Sequence, residues 1–183
     1  MRLVVTQNIT LDGVVDLSDD WFRPAGADGA HDVELEEELR RQDTTCDAML
    51  LGRRTFEDFR AYWPQQTDDT TGITDYLNDV SKYVLSTTLQ DPEWERTAVL
   101  RNVDDTRALK SETGADIVTT GSISLVRELI AAGLVDEYRL FTYPVVLGRG
   151  QRLFAGATEV PPLRLLESQP FRSGIVLLRY RPA

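Results

Sequence analysis

Histidine and cysteine are almost missing from this chain: His31 and Cys46 are the only ones among 183 residues. A single cysteine forbids an intramolecular disulfide, and its simplest setting is a reducing one. One histidine and one cysteine together exclude multi-histidine and cysteine-rich zinc sites. They also exclude any Ser-His-Asp triad that does not use His31, which sits in a polar loop and reads as a plain surface residue. Lysine is nearly as scarce, with Lys82 and Lys110 alone, so arginine carries the positive charge. The 20 basic residues face 30 acidic ones, and the resulting formal charge of −10 argues against a nucleic-acid surface. No apolar run approaches the roughly 18 residues of a membrane helix, and Arg2 and Gln7 bracket only a strand-sized segment. A cytoplasmic protein is the expectation.

What is present suffices for one sizeable core. The apolar fraction is 42%, with three Trp, six Tyr and six Phe, which suits a single domain over residues 1–183. The plan is plainest between Ala115 and Phe154. An apolar run through Ile117 and Val118 leads to Gly121-Ser122 and then to Leu125, Val126, Leu129 and Ile130, spaced for one helix face. Ser122 is placed to cap that helix with its hydroxyl, and Gly133 to end it in a left-handed conformation. A second apolar run then reaches Pro144-Val145-Val146-Leu147-Gly148. Strand, glycine turn, helix and strand make a βαβ crossover. Its first turn offers unpaired N–H groups and a helix dipole to an anion, unless Gly121 merely eases the turn.

The same logic recurs elsewhere. Leu3-Val4-Val5 opens a strand through Ile9, followed by an Asp12-Gly13 turn. Ser18 to Ala30 reads as a loop that covers a ligand or moves, around an isolated Trp21-Phe22. Asp32 caps a helix to about Gln42, with Val33, Leu35 and Leu39 inward and Glu34, Glu36, Glu37 and Glu38 on a solvated face. Ala48 to Leu51 is a buried strand that Gly52-Arg53-Arg54-Thr55 turns into a helix ended by Trp63-Pro64. A short helix over Ile73 to Val80 precedes a strand at Lys82 to Leu85, which runs into Ser86-Thr87-Thr88. Thr97 to Leu100 is a further strand. Asp104 to Glu112 is a helix with Ala108 and Leu109 inward and Gly114 as its stop. Leu163 to Glu167 and Gly174 to Tyr180 close the chain as an antiparallel pair. The fold class is α/β, with a mainly parallel sheet and an antiparallel edge.

A parallel sheet brings the carboxyl ends of its strands to one edge, where ligands bind. Gly52-Arg53-Arg54-Thr55, Ser86-Thr87-Thr88 and Gly121-Ser122 all fall there. Two helix N-termini suit a pyrophosphate, and arginines with hydroxyls suit a further phosphate monoester, so NADPH is the economical ligand. By contrast, Gly148-Arg149-Gly150 lacks the third glycine and the helix of a dinucleotide motif and reads as a structural loop.

Five blocks, in order, resemble the dihydrofolate-reductase-like superfamily, and most closely the reductase domain of riboflavin biosynthesis. They are Thr10-Leu11-Asp12-Gly13, Leu50 through Glu57, Tyr83 through Thr88, Gly121-Ser122 with Leu125, and Leu134-Val135-Asp136-Glu137 through Gly148. The resemblance covers nearly the whole chain. It implies a three-layer αβα fold around a sheet of about eight strands that binds NADPH across its edge. It places Gly52, Arg53, Arg54 and Thr55 on the pyrophosphate and adenosine phosphates, and Ser86, Thr87 and Thr88 on the 2′-phosphate and adenine ribose. Gly121, Ser122, Ile123 and Ser124 would complete the pyrophosphate cradle. Asn8 and Val15 would line the nicotinamide, and Leu125 would pack beneath the cofactor. Where many members carry a double glycine, this chain has Thr120-Gly121, and it lacks the zinc deaminase half often fused to the riboflavin enzyme.

Such a protein would pass hydride to a flat heterocyclic or ribosylaminopyrimidine-like substrate, with a proton supplied by water, Asp12 or Glu36. Trp21, Phe22, Phe56, Phe59 and Trp63 are available as apolar walls. A non-catalytic nucleotide-binding or interaction protein on the same fold stays open, as does a true dihydrofolate reductase. A homodimer is expected, because the Pro144 to Leu147 segment and the closing hairpin leave an edge to cover.

Overall fold

In the computed structural model, β1 (Leu3–Thr10) runs through the middle of the sheet, with parallel β5 (Asp116–Thr119) and β6 (Glu137–Tyr143) on either side. Residues 1–17, 21–22, 32–69, 71–157 and 160–183 are described here. β2 (Cys46–Gly52), β3 (Ser81–Leu85) and β4 (Thr97–Leu100) extend the parallel sheet beyond β5. On the other flank β8 (Val176–Pro182) runs antiparallel to β6 and to the edge strand β7 (Leu163–Pro170). The order is β4-β3-β2-β5-β1-β6-β8-β7. The eight strands, mostly parallel with an antiparallel end, match the expected architecture.

Helices cover both faces, which explains why β2 is apolar without alternation. Its Ala48 and Leu50 enter one core with Leu109 of α4 (Val103–Lys110) and Leu125, Val126 and Leu129 of α5 (Ile123–Ala131). Its Met49 and Leu51 enter another with Phe56 of α2 (Arg53–Tyr62) and Leu77 of α3 (Ile73–Asp79). α1 (Val33–Asp43) lies on that second face too, where Leu35 packs with Phe141, Tyr143, Phe171 and Leu177. Each such side chain contributes about 1.5–3 kcal/mol by leaving water. Phe56, Phe59 and Trp63 are therefore spent on packing between α2, α3 and the sheet.

Several local expectations change. Val33 and Leu39 are exposed, while Glu38 and Gln42 are buried beside Leu35. Glu38 leaves the solvated face because Arg41 and the Gln42 amide bond its carboxylate at 2.7 Å each. In α4 it is Thr106 and Leu109 that turn inward, and Ala108 is exposed. That helix stops at the right-handed C-cap Ser111, three residues before Gly114. Asp32 does cap α1, accepting from the Leu35 N–H at 3.2 Å, and Gly133 adopts a φ of 63° after α5. Within the described residues no helix is long and apolar enough to cross a membrane.

Candidate functional site

β2 and β5 are neighbours, yet the helices that follow them leave to opposite faces, α2 to one and α5 to the other. A crevice opens at such a switch point, outside the carboxyl ends of the strands. The two glycine turns meet across it. The Gly52 N–H donates to Ser122 Oγ at 2.9 Å, and the Ser122 N–H donates to Thr55 Oγ1 at 3.1 Å. Gly121 has a φ of 56°, and a Cβ placed on it would stand 3.3 Å from Thr55 Cγ2. Leu125 lies beneath, 3.7 Å from where a Cβ on Gly52 would be.

Ser122 departs from its expected role. It occupies the N-cap of α5 in a left-handed conformation, φ 43°, and its hydroxyl makes no capping bond, being spent on the Gly52 N–H. α2 likewise begins at Gly52 without a side-chain cap. By contrast Asp32 caps α1, Asn102 with Asp105 forms a full capping box on α4, and the first donors of α3, which starts at Gly72 without a cap, reach Thr71 and Asp69. The first-turn N–H groups of α2 and α5 thus have no side-chain acceptor at the crevice. Orphan donors beside a positive dipole end form an anion site.

Arg53 and Arg54 are both exposed at the start of α2. Arg53 leans on Glu57 at 3.3 Å, while no ion pair or hydrogen bond among the described residues holds Arg54. At the end of β3, Ser86 is buried, and its hydroxyl accepts from the N–H groups of Thr88 and Leu89 at 3.2 and 3.0 Å. That bonding commits Ser86 to shaping the turn and leaves Thr87 and Thr88 exposed. Of the other predicted contacts, Ile123 is half-buried and Ser124 exposed in the first turn of α5. Asn8 is half-buried on β1 opposite Phe141, and Val15 is buried in the core that contains Leu125.

Neither predicted proton donor is free. The Asp12 carboxylate accepts from Thr10 Oγ1 at 2.7 Å, from the Gly148 N–H at 2.9 Å and from Arg152 at 3.4 Å. The Thr10 hydroxyl above all, with the Gly148 N–H, holds this carboxyl well below the usual range, so Asp12 carries no proton to give at neutral pH. Its work is to tie the turn after β1 to the 147–152 loop, where Arg152 also bonds its carbonyl at 3.0 Å. Glu36 is half-buried on α1 and pairs with Arg40 at 3.4 Å. His31 and most of the Ser18–Ala30 loop lie outside the described residues. Trp21 and Phe22 are described: their rings lie 5.3 and 5.7 Å from that of Tyr143, at the carboxyl end of β6.

One buried contributor escaped the reading of the chain. Gln7 is only 3% exposed, and its Nε2 donates to the Gly121 carbonyl at 2.7 Å. The signal was an amide at an inward strand position between Val5 and Ile9. Two cavities lie elsewhere. One of about 490 Å³ is lined by Asp43, Cys46, Asp75 and Tyr76, and one of about 580 Å³ by the end of α5 with Leu153, Ala155 and Pro161.

The fold is of the dihydrofolate-reductase-like class. More narrowly, the chain belongs to the RibD C-terminal domain family, which it matches over residues 2–177. The uncharacterised protein YyaP of Bacillus subtilis (strain 168) is 30% identical over 187 residues, covering 98% of this chain and 94% of that protein. YwjB of the same organism is 28% identical over 177 residues, 92% and 91% of the two chains. Among solved structures, a protein provisionally assigned to riboflavin biosynthesis in Shewanella sp. PV-4 superposes with a TM-score of 0.75 at 17% identity, covering 100% and 99%. A pyrimidine reductase-like protein of Corynebacterium diphtheriae gives 0.64 at 16%, covering 98% and 91%. Dihydrofolate reductase of Enterococcus faecalis, complexed with NADP(H), gives 0.60 at 16%, covering 98% and 95%. At these identities the likeness is one of fold.

Proposed function

We propose that the protein is an NADPH-dependent reductase that passes hydride to a flat heterocycle of the ribosylaminopyrimidine type. The observation that carries this reading is the pair of helix N-termini, laced to each other and left without side-chain caps at the crevice between β2 and β5. They suit a pyrophosphate. Arg53, Arg54, Thr87 and Thr88 stand exposed nearby for an additional phosphate, where a guanidinium fork matches phosphate oxygens. NADPH, when bound, supplies the hydride. The chain's share is to hold the donor in line with its acceptor, the larger part of such catalysis.

Asp12, Asp32 and Glu36 are each bound by partners in the fold. A folate reductase needs an acid on the helix before the Gly-Arg turn to protonate its pterin, so the bonded carboxylates favour a substrate that takes its proton from water. They suit a non-catalytic nucleotide binder equally well. Titration with NADPH and NADH, followed by NADPH oxidation with a ribosylaminopyrimidine and with dihydrofolate, separates the readings. NADPH should bind more tightly than NADH, and the ribosylaminopyrimidine should oxidise it. Binding of neither nucleotide would sink both nucleotide readings, and binding without oxidation would leave the non-catalytic one. We further propose that two copies pair through the edge strand β7, where Leu165 and Leu166 are 49% and 42% exposed. A monomeric mass in light scattering at micromolar concentration would refute the pairing.

A further inference from the structure

Gln7 shares the buried face of β1 with Leu3, Val5 and Ile9, and Val5 pairs with Thr119 at the end of β5. An amide in such a place is costly to bury unless it is bonded. Its register carries it past the end of β5 to the Gly121 carbonyl, 2.7 Å from Nε2. That carbonyl belongs to the peptide between two consecutive left-handed residues, Gly121 at φ 56° and Ser122 at φ 43°. Glycine adopts this conformation freely, whereas a residue with a Cβ does so only when its surroundings insist.

Three bonds insist here. Ser122 N–H to Thr55 Oγ1 and Gly52 N–H to Ser122 Oγ join the two turns to each other. The Gly52 bond ties the turn to the end of β2, and the bond from Gln7 ties it to β1, on the other side of β5. Without the Gln7 bond the β5–α5 turn is held from the β2 side alone, and the first N–H groups of α5 lose their second anchor.

We propose that Gln7 is a positioning residue for the cradle, anchoring the β5–α5 turn so that the α5 amides stay aimed at the ligand's bridging phosphates. The inference rests on the nucleotide reading above.

The test replaces Gln7 with methionine, of similar length but without a donor, and measures binding of NADPH and of 2′,5′-ADP, which has no pyrophosphate bridge. Gln7→Met should weaken NADPH about tenfold or more and leave 2′,5′-ADP within about twofold of the parent. Amide exchange at Gly52 and Ser122, whose N–H groups make the lacing bonds, should quicken while α5 from Val126 onward keeps its protection. Unchanged NADPH affinity overturns the proposal, and so does equal loss of both ligands, which marks a support of the whole fold. Gln7→Leu also removes the donor and adds no charge, so it should show the same selectivity. It provides the measurement if the methionine variant does not fold. The parent is titrated first: failure of NADPH to bind there counts against the nucleotide reading, whereas a selective loss or its absence in the variant decides the role of Gln7.

Discussion

The strands β5, β1 and β6 are built differently at their two ends. At the amino ends, charges are gathered and matched. Arg2 bonds Asp116 at 2.7 Å and Glu137 at 3.1 Å, Arg139 bonds the same two carboxylates at 3.1 and 2.8 Å, and Arg179 joins Glu137 to Glu167. Burial alone would push the Glu137 carboxyl up, but the bond from Arg139 and the charges of Arg139 and Arg179 outweigh it and hold the group below the ordinary carboxylate range. At the carboxyl ends the backbone donors of two helices are left without side-chain acceptors. Polar groups satisfied within the chain hold the fold, and polar groups left open mark where something else completes them.

The sharpest way to break the contrast is to unpair the matched end. Arg139→Met leaves Asp116 and Glu137, 5% and 1% exposed, short of a positive partner. Removing one member of a buried ionic cluster costs about 3–5 kcal/mol, because the desolvated charge that remains is uncompensated. Urea denaturation should show that loss, while NADPH affinity measured on folded protein stays at the parent value. A variant as stable as the parent would mean that the cluster is solvated and the two ends alike.

Asp43 is the exception at the matched end. It lines the cavity of about 490 Å³ with Cys46 and Tyr76, and burial without a bonding partner pushes its carboxyl up to about 6. The native state therefore holds this proton where the unfolded chain, with a value near 3.8, has released it. The associated stability is fully present below the unfolded value and is lost as pH rises from about 4 through about 6. Asp43→Asn should remove that slope. It should gain about 1–2 kcal/mol over the parent at pH 8 and nothing near pH 3.5, read from paired denaturation curves. An equal gain at both pH values would trace the effect to something other than titration.

These two ends were not equally legible in the chain. Gly52 and Gly121 could be placed because a strand followed by glycine and a 3.6-residue repeat is a local pattern, and a parallel sheet then brings such turns to one edge. The ionic cluster could not, since Arg2, Asp116 and Glu137 meet only through sheet order, and Glu38 looked like one more member of an acidic helix face. Asp12 shows the same limit at the carboxyl end. Its Asp-Gly turn was evident, but of the bonds that occupy its carboxylate only the one from Thr10 is local, and those from Gly148 and Arg152 come from 136 and 140 residues away. Ser122 was rightly placed at a helix start and wrongly given a cap, because its hydroxyl had a stronger claim from another turn.

The smallest effect distinguishes a capped helix from an open one. Asn102 accepts from the Asp105 N–H at 3.0 Å, and the Asp105 carboxylate returns bonds to the N–H groups of Arg101 and Asn102 at 2.8 and 3.2 Å. Asn102→Ala should therefore cost about 1 kcal/mol of stability, the usual worth of such a cap, and leave NADPH binding untouched. Ser122→Ala removes a hydroxyl from the same formal position on α5, but that hydroxyl accepts the Gly52 N–H and satisfies none of the helix's own donors. Alanine there should cost stability through the lost link between turns and weaken NADPH about threefold to tenfold, because the two N-termini lose their registration. Equal effects of the two substitutions on NADPH would mean that both helix starts serve the fold alone. A loss confined to Ser122→Ala would tie the open starts, and only those, to the ligand.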